Sequence, residues 1–250
     1  MIGINLNGQS AVVVGGASGI GRATAIQLAT AGARVVTLSR REDPPAFECP
    51  PDVAARLSHR QLDICDSAAT ANTFAEIAHG GGLDIAVHSA GVLVPGGVLD
   101  TDDDLWRRHM ATNVDGVFYA ARESVRHIRA GGRGGKVVIV GSISGLVGNP
   151  GLAAYCASKG LLINLTHQMA LDHAAEGINV NSVLPGFTET EMTEVYDIAT
   201  KAAIAQAIPA KVWATPDQIA GAILFLCSPL ADYIHGTNLV VDGGYLAGRP

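Results

Sequence analysis

Ten residues near the start of the chain limit its fold more than any others. Val12-Val13-Val14-Gly15-Gly16-Ala17-Ser18-Gly19-Ile20-Gly21 runs from a β-branched stretch through a glycine-rich turn into an apolar pattern with helical spacing. So tight a reversal needs backbone conformations that glycine reaches without strain. The same alternation recurs to the end of the chain. Residues 10–15, 34–39, 83–89, 136–142, 178–184 and 238–241 read as strands, with a weaker one at 59–62. Residues 19–31, 67–79, 101–129, 153–175 and 216–227 read as helices between them. The strand runs are continuously apolar, as expected when helices cover both faces of a parallel sheet. The expected fold is α/β: a doubly wound, Rossmann-type parallel sheet of about seven strands in a single domain spanning 1–250.

Local signals support these boundaries. Asp100 and Thr101 precede a helix that opens with acidic residues, and Thr215-Pro216-Asp217 offers an N-cap followed by proline. Residues 41–51 hold four prolines and read as a surface loop. With 48% hydrophobic and 16% charged residues, the chain can build a sizeable core. Its net charge of −6, without basic runs, offers nothing to nucleic acid or to an anionic membrane. Residues 1–9 are polar, and the apolar stretches fall short of the ~20 residues that span a bilayer. Cys49, Cys65, Cys156 and Cys227 are scattered, which fits neither zinc nor a disulfide framework and points to a reduced, cytoplasmic protein. His88, His109, His167 and His173 are not spaced as a metal set, so no metal is expected.

The turn itself carries chemistry. Gly15, Gly19 and Gly21 let the backbone approach a pyrophosphate, and Ser18, Ile20 and the helix start supply unpaired N–H groups and a positive dipole end. The second strand addresses which dinucleotide. A carboxylate at its end would bind the ribose hydroxyls of NAD; here the strand ends Ser39-Arg40-Arg41. Guanidinium groups bind a 2′-phosphate, so NADP(H) is favoured and NAD(H) remains possible.

Tyr155-Cys156-Ala157-Ser158-Lys159 places a phenol and an ammonium four residues apart, on one face of a helix. A free phenol is a poor base near neutrality, and a nearby cation lowers its pKa, as general acid–base work requires. Ser142 ends a strand thirteen residues earlier, where ligands bind in such sheets, and its hydroxyl can meet a substrate oxygen beside the tyrosine.

With these motifs the whole chain resembles the single-domain short-chain dehydrogenases/reductases. Gly15, Gly19 and Gly21 match that family's cofactor turn, and Asp63, followed by Ile64, matches the acid that contacts adenine. Ala90 and Gly91 match the end of its Asn-Asn-Ala-Gly element; Pro185, Gly186 and Thr188 match the segment closing over the nicotinamide. Asn113, Ser142, Tyr155 and Lys159 match its catalytic tetrad, and residues 240–244 its last strand. Val14 and His88-Ser89 depart from the usual threonine and Asn-Asn, and the second helix is shortened into the proline-rich loop. The resemblance implies that Lys159 also holds the nicotinamide ribose, that Asn113 holds a relay water, and that the chain forms dimers or tetramers.

Loops at the strand ends should choose the substrate. Val94, Ser144, Leu146, Phe187, Met192 and Tyr196 are the candidate pocket residues, with Trp213 nearby, and 187–213 reads as a lid. The mostly apolar set favours a neutral ketone or secondary alcohol. One alternative is a 3-oxoacyl-carrier-protein reductase. Glu176-Gly177 disfavours its acidic carrier, while Arg126, Arg129 and Arg133 leave it open. A sugar or polyol dehydrogenase is a further option. An alternative of another class is a non-catalytic dinucleotide-binding scaffold or sensor.

Overall fold

The computed structural model describes residues 3–248; of the domain expected over 1–250, residues 1–2 and 249–250 lie outside the described residues. The strands are β1 Ser10–Val14, β2 Arg34–Ser39, β3 Leu57–Gln61, β4 Ile85–His88, β5 Gly135–Val140, β6 Ile178–Pro185 and β7 Asn238–Val241. They form one seven-stranded sheet in the order β3-β2-β1-β4-β5-β6-β7, every pair parallel. Alternate residues serve opposite faces. Val12 and Val14 join the core beneath α3 (Ser67–His79) and α5 (Val117–Gly131), while Ala11 and Val13 join the core beneath α1 (Gly19–Thr30) and α8 (Pro216–Leu226). Burying each of these valine side chains favours folding by about 1.5–3 kcal/mol. Connections leave β1 in one direction and β4 in the other, so the carboxyl ends of these neighbours open a crevice.

Three elements differ from the sequence expectation. The helix expected over 101–129 starts at Asp103, capped by Asp102, whose carboxylate accepts from Leu105 N at 2.7 Å. It is not uniform: α4 (Asp103–His109) and α5 flank a π-helical stretch, Met110–Gly116, with Asn113 inside it. Such widened turns concentrate at functional sites. The proline-rich loop ends in a one-turn helix, α2 (Pro51–Ala54), and is held to α1 by Arg22, which donates to Pro45 O at 2.8 Å and lies 4.8 Å above the Phe47 ring. The segment expected to be a lid carries a helix of its own, α7 (Ile198–Ala207), besides α6 (Ala153–His173) before it.

His88 sits at the end of β4, fully enclosed. Ser124 Oγ donates to Ala120 O at 2.8 Å, so the His88 Nε2–H donates to that hydroxyl at 3.3 Å, and Nδ1 has no partner among the described residues. Burial pushes its pKa down to about 3. The neutral ring is therefore kept in the folded chain while the unfolded chain takes up a proton below about 6.5. Stability is unaffected by His88 above that pH and is lost as pH falls from there toward 3. We expect urea unfolding to show about 2 kcal/mol less loss between pH 7 and pH 5 in His88→Asn than in the parent. Equal losses in both proteins would contradict this.

Candidate active site

The carboxyl ends of the strands enclose one large cleft of about 970 Å³. At its centre is the glycine turn. Gly15 has φ +79° and Gly19 φ +50°, and the Gly15 and Gly16 N–H groups donate to Leu38 O, at 2.7 and 3.3 Å, closing β1 against β2. A Cβ on Gly21 would lie 2.3 Å from Gly15 O, so the helix can start this close to the strand only with glycine there. Gly15, Ser18, Gly19 and Ile20 line the cleft; Gly21 lies beneath, in the buried first turn of α1.

One end of the cleft is lined by Ser39, Arg40, Arg41, Asp63 and Ile64. Ser39 Oγ accepts from Arg41 N at 3.2 Å, and Asp63 accepts from Cys65 N at 3.0 Å. Ala90, Gly91, Pro185, Gly186 and Thr188 line its floor and far wall.

Toward the other end stand Ser142, Tyr155 and Lys159. Ser142 follows β5 and caps a 3-10 turn, Ile143–Gly145, its Oγ accepting from Ser144 N at 3.1 Å. Tyr155 and Lys159 project from α6, with Nζ 5.8 Å from the phenol ring centroid and donating to Val140 O at 3.0 Å. Burial dominates both groups. It pushes the Tyr155 phenol up to about 12, against a lowering by the Ser142 hydrogen bond. It pulls the Lys159 ammonium down to about 8. Desolvation therefore holds the phenol protonated here, and the acid–base role expected of Tyr155 needs positive charge beyond the ammonium 5.8 Å from its ring.

Asn113 is fully buried behind this group rather than lining the cleft. Its Oδ1 accepts from Val92 N at 2.7 Å, and its Nδ2 donates to Val92 O at 2.9 Å and Ser158 Oγ at 3.0 Å. The side chain thus ties the loop after β4 to α6 and fixes the approach of Gly91 to Lys159. His109 is fully buried too. Its Nδ1 donates to Leu105 O at 3.0 Å, its Nε2 accepts from Val94 N at 3.2 Å, and its ring packs edge-on against Tyr155.

Val94, Ser144, Phe187, Met192 and Tyr196 all line the cleft. Leu146 does not: it follows the 3-10 turn, which rotates it outward to 48% exposure. Trp213 stands behind the wall, packed on Phe187 and Tyr196. Tyr245, Ile204 and Arg108 line the cleft and were missed. Tyr245 follows the last strand, where no pattern marks it; Arg108 differs from other surface arginines only through the helix packing. Among the described residues no cluster of three or more His, Cys, Asp or Glu is placed to hold a metal ion.

The family model described as enoyl-(acyl carrier protein) reductase matches residues 15–246. The meso-2,3-butanediol dehydrogenase of Serratia marcescens is 35% identical over 247 residues, covering 96% of each chain. The chain belongs to the short-chain dehydrogenase/reductase family. As a member it is an oxidoreductase that acts on CH–OH groups. The 3-oxoacyl-[acyl-carrier-protein] reductase of Escherichia coli is 34% identical, over 96% of this chain and 98% of that one. Among solved structures of the family, a gluconate 5-dehydrogenase from Burkholderia cenocepacia, in complex with NADP and tartrate, superposes with a TM-score of 0.91 at 32% identity, covering 98% of both chains.

Proposed function

We propose that the chain is an NADP(H)-preferring oxidoreductase that interconverts a neutral, largely apolar ketone and its secondary alcohol, with Tyr155 as the acid–base group. The observation that carries this reading is the convergence of Ser142, Tyr155 and Lys159 on one wall of the same cleft that holds the glycine turn. The residues fit a nicotinamide dinucleotide. Gly15 to Ile20 would hold its pyrophosphate, Asp63 and Ile64 its adenine, Arg40 and Arg41 its 2′-phosphate, and Lys159 its nicotinamide ribose. When bound, the nicotinamide supplies or accepts the hydride.

The chain's own residues do the rest. Ser142 and Tyr155 hold the substrate oxygen between two hydroxyls. Tyr155 gives its proton to that oxygen during reduction and takes it back during oxidation. Lys159, with its pKa drawn down to about 8, can lose and regain a proton near neutrality and so resupplies Tyr155. Asn113 keeps the backbone beside Lys159 in register. Residues 187–213, with α7, act as the lid that excludes water.

The substrate end favours a neutral molecule. Ser144, whose Oγ accepts from Asn149 Nδ2 at 2.7 Å, provides polar contacts, and Val94, Leu152, Met192 and Phe187 provide an apolar wall. The cleft arginines stand elsewhere. Arg40 and Arg41 follow β2, and Arg108 shares a helix face with Thr112, whose hydroxyl lies 3.7 Å from Cys65 Sγ on the Asp63 side. The reading as an acyl-carrier reductase is weakened by its own arginines. Arg126 pairs with Glu123 at 2.9 Å, Arg129 with Glu176 at 3.1 Å and Arg133 with Asp84 at 2.6 Å. Arg129 and Arg133 flank the C-terminal end of α5, which leads into the start of β5, at the amino ends of the strands and so opposite the cleft. A passive scaffold has no use for all four tetrad residues.

Turnover of a ketone and alcohol panel with NADPH and NADH in parallel tests the proposal. We expect neutral ketones to be reduced with NADPH preferred, and the Arg40→Ala/Arg41→Ala variant to lose about 10- to 100-fold in NADPH affinity while NADH is unaffected. A strong NADH preference in the parent would remove the cofactor assignment. We further propose a homo-oligomer assembled through α5 and α6, where Phe118, Leu161 and Leu171 are exposed at 43%, 45% and 84%. No helix among the described residues is long and apolar enough to cross a membrane, and the four cysteines are free thiols, which supports a cytoplasmic site of action.

A further inference from the structure

Arg41 does not face the cleft alone. Its guanidinium donates to the Glu191 carboxylate at 2.6 Å, joining residues 150 apart in the chain. One partner follows β2; the other opens the 3-10 turn Glu191–Thr193 in the lid segment. The same segment rests on the glycine turn, where a Cβ on Gly19 would come 3.1 Å from Thr190 Cγ2. The turn that carries the carboxylate is held in place. Thr190 N donates to Thr193 Oγ1 at 3.1 Å, and that hydroxyl donates to Thr188 O at 3.0 Å, fixing the turn that carries Glu191. Both members of the pair line the cavity, and at 44% and 57% side-chain exposure they can be reached by an incoming anion.

The carboxylate takes one donor of the guanidinium, Nη2, and any second anion that approaches Arg41 must share the group with that negative charge. A phosphate at this position carries about −1.5 to −2 charges near neutrality, so it either takes that donor from Glu191 or uses the others, and in both cases sits beside a like-charged carboxylate. We infer that Glu191 is a specificity-determining residue: it competes internally for Arg41 and so sets how strongly the site prefers a 2′-phosphorylated nucleotide over one with a free 2′-hydroxyl. The inference rests on the assignment of Arg40 and Arg41 to the 2′-phosphate. Removing the carboxylate while keeping its shape strengthens binding of the 2′-phosphate and leaves nucleotides without it unchanged.

The test is calorimetric binding of adenosine 2′,5′-bisphosphate and of 5′-AMP to the full chain, its Glu191→Gln and Arg41→Ala variants, and the double variant. Glu191→Gln should bind the bisphosphate about five-fold more tightly at low ionic strength, with the gain shrinking at high salt and 5′-AMP unaffected. The gain should vanish in the Arg41→Ala background, because the two changes act through one contact. If Arg41→Ala weakens the bisphosphate but Glu191→Gln changes nothing, the role of Glu191 is overturned and the cofactor assignment stands. A gain that is equal for both nucleotides, or that survives without Arg41, also overturns it. If parent and Arg41→Ala chains bind both nucleotides alike, the cofactor assignment itself fails, and Glu191 with it.

Discussion

Tyr155→Phe is expected to bind nicotinamide dinucleotides as the parent does and to turn over about a thousandfold more slowly. The substitution removes one oxygen and little else. The ring keeps its edge-on packing against His109, 6.5 Å between centroids, and its place 5.8 Å from Lys159 Nζ. Ser142 remains and can still orient a carbonyl oxygen. Its hydroxyl is far less acidic than a phenol, and its Oγ already accepts from Ser144 N. What is lost is the proton donor and acceptor at the substrate oxygen, so the effect should fall on kcat with cofactor affinity intact. Calorimetry with NADPH, alongside steady-state rates on the ketone that the parent reduces fastest, separates the two quantities. Near-parental turnover would take the acid–base role away from Tyr155.

The second large effect is expected at the turn. Gly21→Ala should weaken dinucleotide binding by about a hundredfold or more and cost roughly 1–3 kcal/mol of stability. Its new methyl would lie 2.3 Å from Gly15 O and 2.8 Å from Gly15 C, both backbone atoms. Gly15 cannot yield in turn, because it approaches Ala90 N so closely that a Cβ there would stand 2.6 Å away. The first turn of α1 must then move off the strand, taking its N–H groups out of line with a pyrophosphate. Gly3→Ala is the control, since a Cβ at Gly3 meets nothing within 4 Å. Equal binding by the two variants would mean that the turn does not hold the cofactor.

Much of this site was legible because its determinants are local. Tyr155 and Lys159 lie on one helix face, and Gly15 to Gly21 form a single turn; both need only a few consecutive residues to be recognised. Strands β1, β4, β5 and β7 announced themselves through short apolar runs, and β2 and β6 through β-branched and apolar residues that Thr37, Asn179, Asn181 and Ser182 interrupt. What stayed hidden depends on contacts between distant segments. Glu191 meets Arg41 across 150 residues, and Arg22 grips Pro45 from a different element. Leu146 lies two residues from Ser144, yet the intervening turn sends it to solvent while Ser144 faces the cleft. The helix α7 was missed because half of Ile198–Ala207 is alanine and the segment carries no clear apolar stripe. The widened turn around Asn113 has no sequence signature either; Gly116, where a Cβ would lie 2.6 Å from Ile64 Cγ1, shows how closely that stretch packs. The depth at which Tyr155 is buried was hidden for a related reason. Spacing shows that an ammonium is near, but only the packed structure shows how little water remains.

One titration bears on the mechanism most directly. Ultraviolet difference spectra, with Tyr155→Phe subtracted, follow the ionisation of this single phenol with and without oxidised dinucleotide. In the chain alone it should stay protonated through the range where a free phenol ionises, about pH 10, in line with a pKa near the 12 that burial imposes. With the positively charged nicotinamide present, its midpoint should drop toward neutrality. A midpoint that the oxidised dinucleotide leaves in place would contradict the proposed proton transfer.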